Sequence, residues 1–102
     1  MYYTYMIRCK GDFLYTGITT DVKRRFNEHY KKDEKGAKYT KSHTVEKVEA
    51  IWESSNRSYA SKLEYNLKKL TKSQKEEIIL NDENLTKYLG EKMDTTLYNR
   101  LI

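Results

Sequence analysis

The 102 residues contain no proline, one cysteine and only four glycines. Without proline, helices must be ended by Gly, Asn and Asp signals. A single thiol, Cys9, excludes an internal disulfide and a cysteine-rich zinc site, and it suits a reducing, cytoplasmic setting. No apolar run approaches the ~18 residues of a membrane-spanning helix, so no membrane association is expected. The opening Met-Tyr-Tyr-Thr-Tyr-Met-Ile-Arg lacks the charged-then-apolar layout of a signal peptide. Also missing are a Gly-rich phosphate loop, a G-x-S-x-G elbow and an H-E-x-x-H pair. Their absence argues against a familiar nucleotide hydrolase, serine hydrolase or zinc protease.

What is abundant is tyrosine and positive charge. Ten Tyr and one Trp supply rings that pack while keeping a polar edge. The formal net charge is +5, and residues 1–50 carry eleven Lys/Arg against seven Asp/Glu. Residues 82–102 reverse the sign, with three against four. A phosphate backbone is the natural partner for the basic part, since each contact releases condensed counterions. A surface kept soluble by its charge accounts for a modest excess almost as well.

Aromatic and β-branched residues from Tyr2 to Cys9 and from Phe13 to Thr19 predict two strands joined at Lys10-Gly11-Asp12. The loop length decides their register. A two-residue loop would put Tyr5 and Tyr15 on opposite faces. A three-residue loop sets Tyr5 opposite Gly17 and gives both tyrosines one face, with Asp12 tolerating the left-handed conformation. The odd loop is the prediction.

Thr20 or Asp21 caps a helix running to about Asp33, with Val22, Phe26 and Tyr30 as its apolar stripe. Arg25 and His29, four apart, share a neighbouring face. Lys31 to Lys41 reads as a polar loop, Glu46 to Ser54 as a third strand with Trp52 in the core. Ser58 to Lys69 is a helix striped by Ala60, Leu63, Leu67 and Leu70, and a further helix runs from Ser73 to about Leu80. The order β-β-α-β-α-α predicts an α+β domain: a small three-stranded, mostly antiparallel sheet flanked by helices. Residues 1–81 are expected to form the domain and 82–102 a C-terminal extension, helical or partly ordered. Leu85, Leu89, Met93, Leu97 and Leu101 recur there at steps of four, a pattern that also suits a partner-binding segment.

Tyr5, Tyr15, Arg25 and Glu64 make a chemical set. A phenol near cations or a metal-bound water can move a proton. Arg25 can hold a phosphate oxygen with two donors. One carboxylate, Glu64, suits a hydrated Mg²⁺ that polarises a phosphate. His29 can orient a nucleophile or contact phosphate. Each residue also has a structural reading. Tyrosines pack in strands, and Glu64 can simply pair with Lys68 on a helix surface. Lys23 and Arg24 on the first helix, with Lys38, Tyr39 and Lys41 in the basic loop, are the nucleic-acid-binding candidates, Tyr39 for stacking. His43 has no evident partner.

At these residues the chain resembles the GIY-YIG nuclease domain, in particular its small stand-alone bacterial members. Tyr3-Thr4-Tyr5 and Tyr15-Thr16-Gly17 stand in place of the two name-giving motifs. Arg25, His29 and Glu64 follow at matching spacing, and Gly36-Ala37-Lys38-Tyr39-Thr40 is similar to a loop of the small members. Tyr3 replaces the first glycine, and Ile18 stands where some repair enzymes carry Lys. The resemblance covers roughly residues 2 to 80. It implies Mg²⁺- or Mn²⁺-dependent cleavage of DNA, branched or single-stranded structures included, in repair or processing. Arg25 would steady the scissile phosphate, Glu64 would hold the metal, and one tyrosine, by preference Tyr15, would act on the water. The competing reading is a nucleic-acid-binding module with little or no catalysis.

Overall fold

The computed structural model describes residues 1–31 and 44–102. Lys38, Tyr39, Lys41 and His43 lie outside the described residues. Strand β1 (Tyr2–Cys9) occupies the middle of an antiparallel sheet, flanked by β2 (Phe13–Thr19) and β3 (Val45–Ser54). The hairpin has the odd loop: Cys9 pairs with Phe13 and Tyr5 with Gly17. Gly11 and Asp12 both take positive φ, 88° and 68°, which glycine adopts freely and aspartate tolerates.

Alternation along β1 sorts its side chains onto two faces. Tyr5, Ile7 and Cys9 go to one, with Val45 and Ile51 of β3, and Val22 and Phe26 of helix α1 (Val22–Lys31) cover them. Met6 goes to the other, with Ala50 and Trp52. Val45, Val48 and Ile51 are three apart, a helical-looking spacing. Two register shifts against β1 absorb the extra residues and keep all three on the α1 face.

Helix α2 (Arg57–Lys68) covers the Met6 face through Leu63 and Leu67, and the Thr4 hydroxyl donates to the Ala60 carbonyl at 3.0 Å. Asn56 caps α2, accepting from the Tyr59 N–H. Helix α3 (Lys72–Leu80) begins with a complete Thr71–Gln74 capping box. The expected α+β architecture is present, with an added two-residue strand.

That strand comes from residues beyond 81. Helix α4 (Glu83–Leu89) and a 3₁₀ turn (Thr95–Leu97) lead to β4 (Asn99–Arg100), which pairs with Trp52 and Glu53 at the far edge of β3. Leu85, Leu89, Met93 and Tyr98 are buried in the same cluster as Met6 and Trp52. Each such side chain contributes roughly 1.5–3 kcal/mol of transfer free energy. Leu97 and Leu101 stay exposed, because α4 ends at Leu89 and the period of four ends with it.

Arg100 ties this segment down. Its guanidinium donates to the carbonyls of Ile78 (3.1 Å) and Ile79 (3.0 Å) at the end of α3 and lies over the Trp52 ring. Helix α3 has no basic residue in its own last turn, and Arg100 supplies one from elsewhere in the chain. The Trp52 indole donates to Asp82 at 2.8 Å.

Candidate active site

Helix α1 turns out to bury a different residue in its last turn from the one its apolar pattern suggests. Tyr30 is 51% exposed, whereas His29 is 1% exposed. The inward stripe is therefore Val22, Phe26 and His29, with Arg25 beside it: Val22 and Phe26 keep the places expected from hydropathy, and His29 takes the one expected for Tyr30. Asp21 fixes where the helix starts: its carboxylate accepts from the Arg24 N–H at 3.0 Å, and its own N–H donates to Thr19 Oγ1.

This exchange aims α1 at Tyr5. The Tyr5 ring is fully buried, with Phe26 edge-on at 5.3 Å, His29 at 5.7 Å and Tyr15 at 6.4 Å between ring centroids. Tyr15 and His29 are also in contact, at 5.6 Å. The Tyr5 phenol oxygen lies 2.8 Å from His29 Nε2, and Arg25 Nε donates to it at 3.3 Å. Arg25 has no acceptor, so its N–H takes one lone pair of the phenol, and the phenolic proton is directed to His29 Nε2. His29 is then the neutral tautomer protonated on Nδ1.

The electrostatics agree with this assignment. Burial, with the Arg25 cation adding to it, lowers the His29 pKa to about 4, so the ring is neutral at pH 7. Burial raises the Tyr5 phenol to about 12, with Arg25 opposing and the Tyr15 and Glu64 charges adding. Tyr5 therefore keeps its proton.

Gly17 belongs to the site through its lack of a side chain. A Cβ built there would meet the Tyr5 phenol oxygen at 2.5 Å and its ring at 2.7 Å. Pattern reading saw Gly17 only as part of a motif. The predicted register already set it opposite Tyr5; that a side chain there would collide with the phenol is what the structure adds. Glu28 is a second residue not anticipated. It is 12% exposed and lies 3.7 Å from Arg24 and 3.8 Å from Arg25, as their counter-ion.

Arg25 opens on a cleft of 340 Å³ lined by Arg24 and Glu28 of α1 and by Tyr2, Ile18, Thr19 and Thr20 of the sheet edge. Lys23 is exposed on the same helix. Glu64 sits on α2, which packs against both β1 and β2. It reaches Tyr5 through its charge, with no hydrogen bond between them, and pairs with Lys68 at 3.3 Å. The four elements thus bring Tyr5, Tyr15, Arg25 and His29 into direct contact, with Glu64 at their margin.

No group of three or more His, Cys, Asp or Glu side chains with metal-binding proximity occurs among the described residues. The donor set is one half-exposed carboxylate. That is too little for Zn²⁺ or Ca²⁺, but it fits an ion such as Mg²⁺, which keeps most of its water and is completed by substrate phosphate.

A buried phenol bridging a guanidinium and a neutral imidazole, beside a cation-lined cleft and a lone acid, defines a small α+β catalytic domain of nuclease type. The GIY-YIG catalytic domain matches residues 1–77, and the chain belongs to that family. A UPF0213 protein of Fusobacterium nucleatum is 44% identical over 86 residues, 84% of each chain. A UPF0213 protein of Citrobacter koseri is 38% identical over 96 residues, 94% of each. The solution NMR structure of a UPF0213 protein from Bacillus halodurans is 37% identical, covers 85% of this chain and 96% of its own, and superposes with a TM-score of 0.51.

Proposed function

We propose that this protein is a divalent-metal-dependent endonuclease that cleaves DNA phosphodiesters, selecting for structure rather than sequence, in DNA repair or processing. The observation that carries the reading is the Arg25–Tyr5–His29 chain, whose Arg25 lines the cleft. Arg25 holds a phosphate oxygen there and stabilises the charge that grows on phosphorus. Tyr5, itself held by neutral His29, fixes the guanidinium through its Nε donor, and Glu28 lies beside one of its outer nitrogens. Tyr15, on the same face and only partly buried, is the better placed phenol to take a proton from the attacking water. Tyr5, held protonated, positions and donates. Glu64 would hold Mg²⁺ or Mn²⁺, which supplies charge neutralisation at the leaving oxygen. Lys23 and Arg24 contact flanking phosphates, and Lys38, Tyr39 and Lys41 are proposed to bind the nucleic acid as well, Tyr39 by stacking.

One observation favours a second reading, a binding module with little catalysis: Glu64 is paired with Lys68, as an ordinary surface glutamate would be. A panel of branched, single-stranded and duplex DNAs, incubated with Mg²⁺, Mn²⁺ or chelator, separates the two. The nuclease reading expects metal-dependent cleavage that Glu64→Ala abolishes while binding persists. No cleavage of any substrate by the unmodified protein would leave only the binding module. In both cases affinity falls steeply with added salt.

A further inference from the structure

The positive charge of this chain is concentrated on α2 and the start of α3. Between Arg57 and Lys75 there are six Lys/Arg and a single acidic residue, Glu64, a net +5 that equals the formal charge of the whole chain. All other residues together sum to zero. Two side-chain pairs run in parallel along α2, each with i,i+4 spacing. Glu64–Lys68 is one, at 3.3 Å; the other is Tyr65–Lys69, with the Lys69 ammonium 4.3 Å from the ring centroid. Tyr65 is 59% exposed even so. Lys92, just past α4, is near enough to act on the same phenol, which Lys69 foremost draws below its usual pKa. Lys75 of α3 feels Lys68 in turn.

We infer that the exposed strip Tyr65–Lys69, with Lys68 and Lys92 at its flanks, is a track for single-stranded nucleic acid leading to Glu64. A ring with a partly open face offers a stacking platform to any base, and the lysines around it match a backbone spaced by phosphates. Double-stranded DNA, whose bases are stacked on each other, has no use for the ring. The track therefore favours substrates with an unpaired segment beside the cleavage point. This inference rests on the nuclease reading for its direction, since Glu64, one residue from Tyr65, sits at the track's end.

The test is fluorescence anisotropy on the full chain with a short labelled oligothymidylate and a duplex of equal length, in chelator so that no cleavage occurs. Tyr65→Ala should weaken single-strand binding roughly ten-fold and duplex binding less than two-fold, and Tyr65→Phe should bind like the unmodified protein. Lys69→Gln should weaken both and flatten the salt dependence. Undiminished single-strand binding by Tyr65→Ala overturns the inference. So does loss confined to the lysine variants, which would mark a general cationic surface. So does an unmodified protein that binds no single strand. Thermal unfolding of Tyr65→Ala, expected to match the parent because the residue is exposed, excludes misfolding as the cause. Cleavage by the unmodified protein with no Tyr65 effect would sink the track alone. A Tyr65 effect without any cleavage would sink the nuclease reading alone.

Discussion

The Tyr5 phenol oxygen fills the space that a side chain at position 17 would need, 2.5 Å from where its Cβ would stand. The glycine of the second motif is thus a partner of the tyrosine of the first, across the β1–β2 pair that sets them opposite each other. Gly17→Ala should push the Tyr5 ring away from Arg25 and His29. The expected cost is roughly 1–3 kcal/mol of stability from overpacking, read by urea unfolding, with cleavage reduced at least ten-fold.

The two tyrosines should fail differently when their hydroxyls are removed. Tyr5→Phe removes the hydroxyl that His29 Nε2 and Arg25 Nε share, a loss of buried hydrogen bonding that costs roughly 1–3 kcal/mol. Tyr15→Phe, at a partly exposed position, should leave the unfolding midpoint nearly unchanged and still abolish most cleavage. Equal stability losses in the two variants, measured side by side, would contradict this division.

His29 should make stability depend on pH in a definite window. Its folded pKa, about 4, lies below the ordinary value of 6.5. The unfolded chain therefore takes up a proton that the folded one refuses. The contribution of neutral His29 is complete above pH 6.5 and is lost as pH falls towards 4. The shift corresponds to about 3 kcal/mol. Unfolding free energies of the parent and of His29→Gln, compared at pH 7 and pH 4.5, should converge at the lower pH by an amount of that order. A constant gap between them would refute the assignment.

Arg100→Ala should destabilise the protein by roughly 1–3 kcal/mol, because it uncaps two carbonyls at the end of α3 and uncovers one face of Trp52. Tyr5 and the α1 residues around it pack on the other face of the sheet, so cleavage per folded molecule should not change. A drop in Trp52 fluorescence shift on unfolding, tracked against activity, checks both halves.

The hairpin was readable because loop length and side-chain alternation leave few options, and Gly11 and Asp12 suit positive φ. The contact among Tyr5, Arg25 and His29 was only half readable. Hydropathy favours Tyr30 over His29 for the interior of α1, and it cannot register that a hydrogen bond to a buried phenol makes an imidazole welcome there. Glu64 was read two ways, as a metal ligand and as a partner for Lys68; the structure holds the pairing, and the metal role remains the proposal. Strand β4 was beyond reach, since two residues carry no period and their pairing is decided by the β3 edge they meet. The packing of residues 82–102 likewise depends on the core cluster around Met6 and Trp52, which no local pattern describes.

Because the Tyr5–Arg25–His29 cluster is also interior packing, a relative that had lost its chemistry would still be constrained to retain it. Evolutionary drift would erase Glu64 first, since a half-exposed helix acid with one lysine neighbour costs little to replace. In surveying kin of this chain, the paired tyrosines would report on folding, and under the proposed mechanism the fate of the acid on α2 is the better marker of activity.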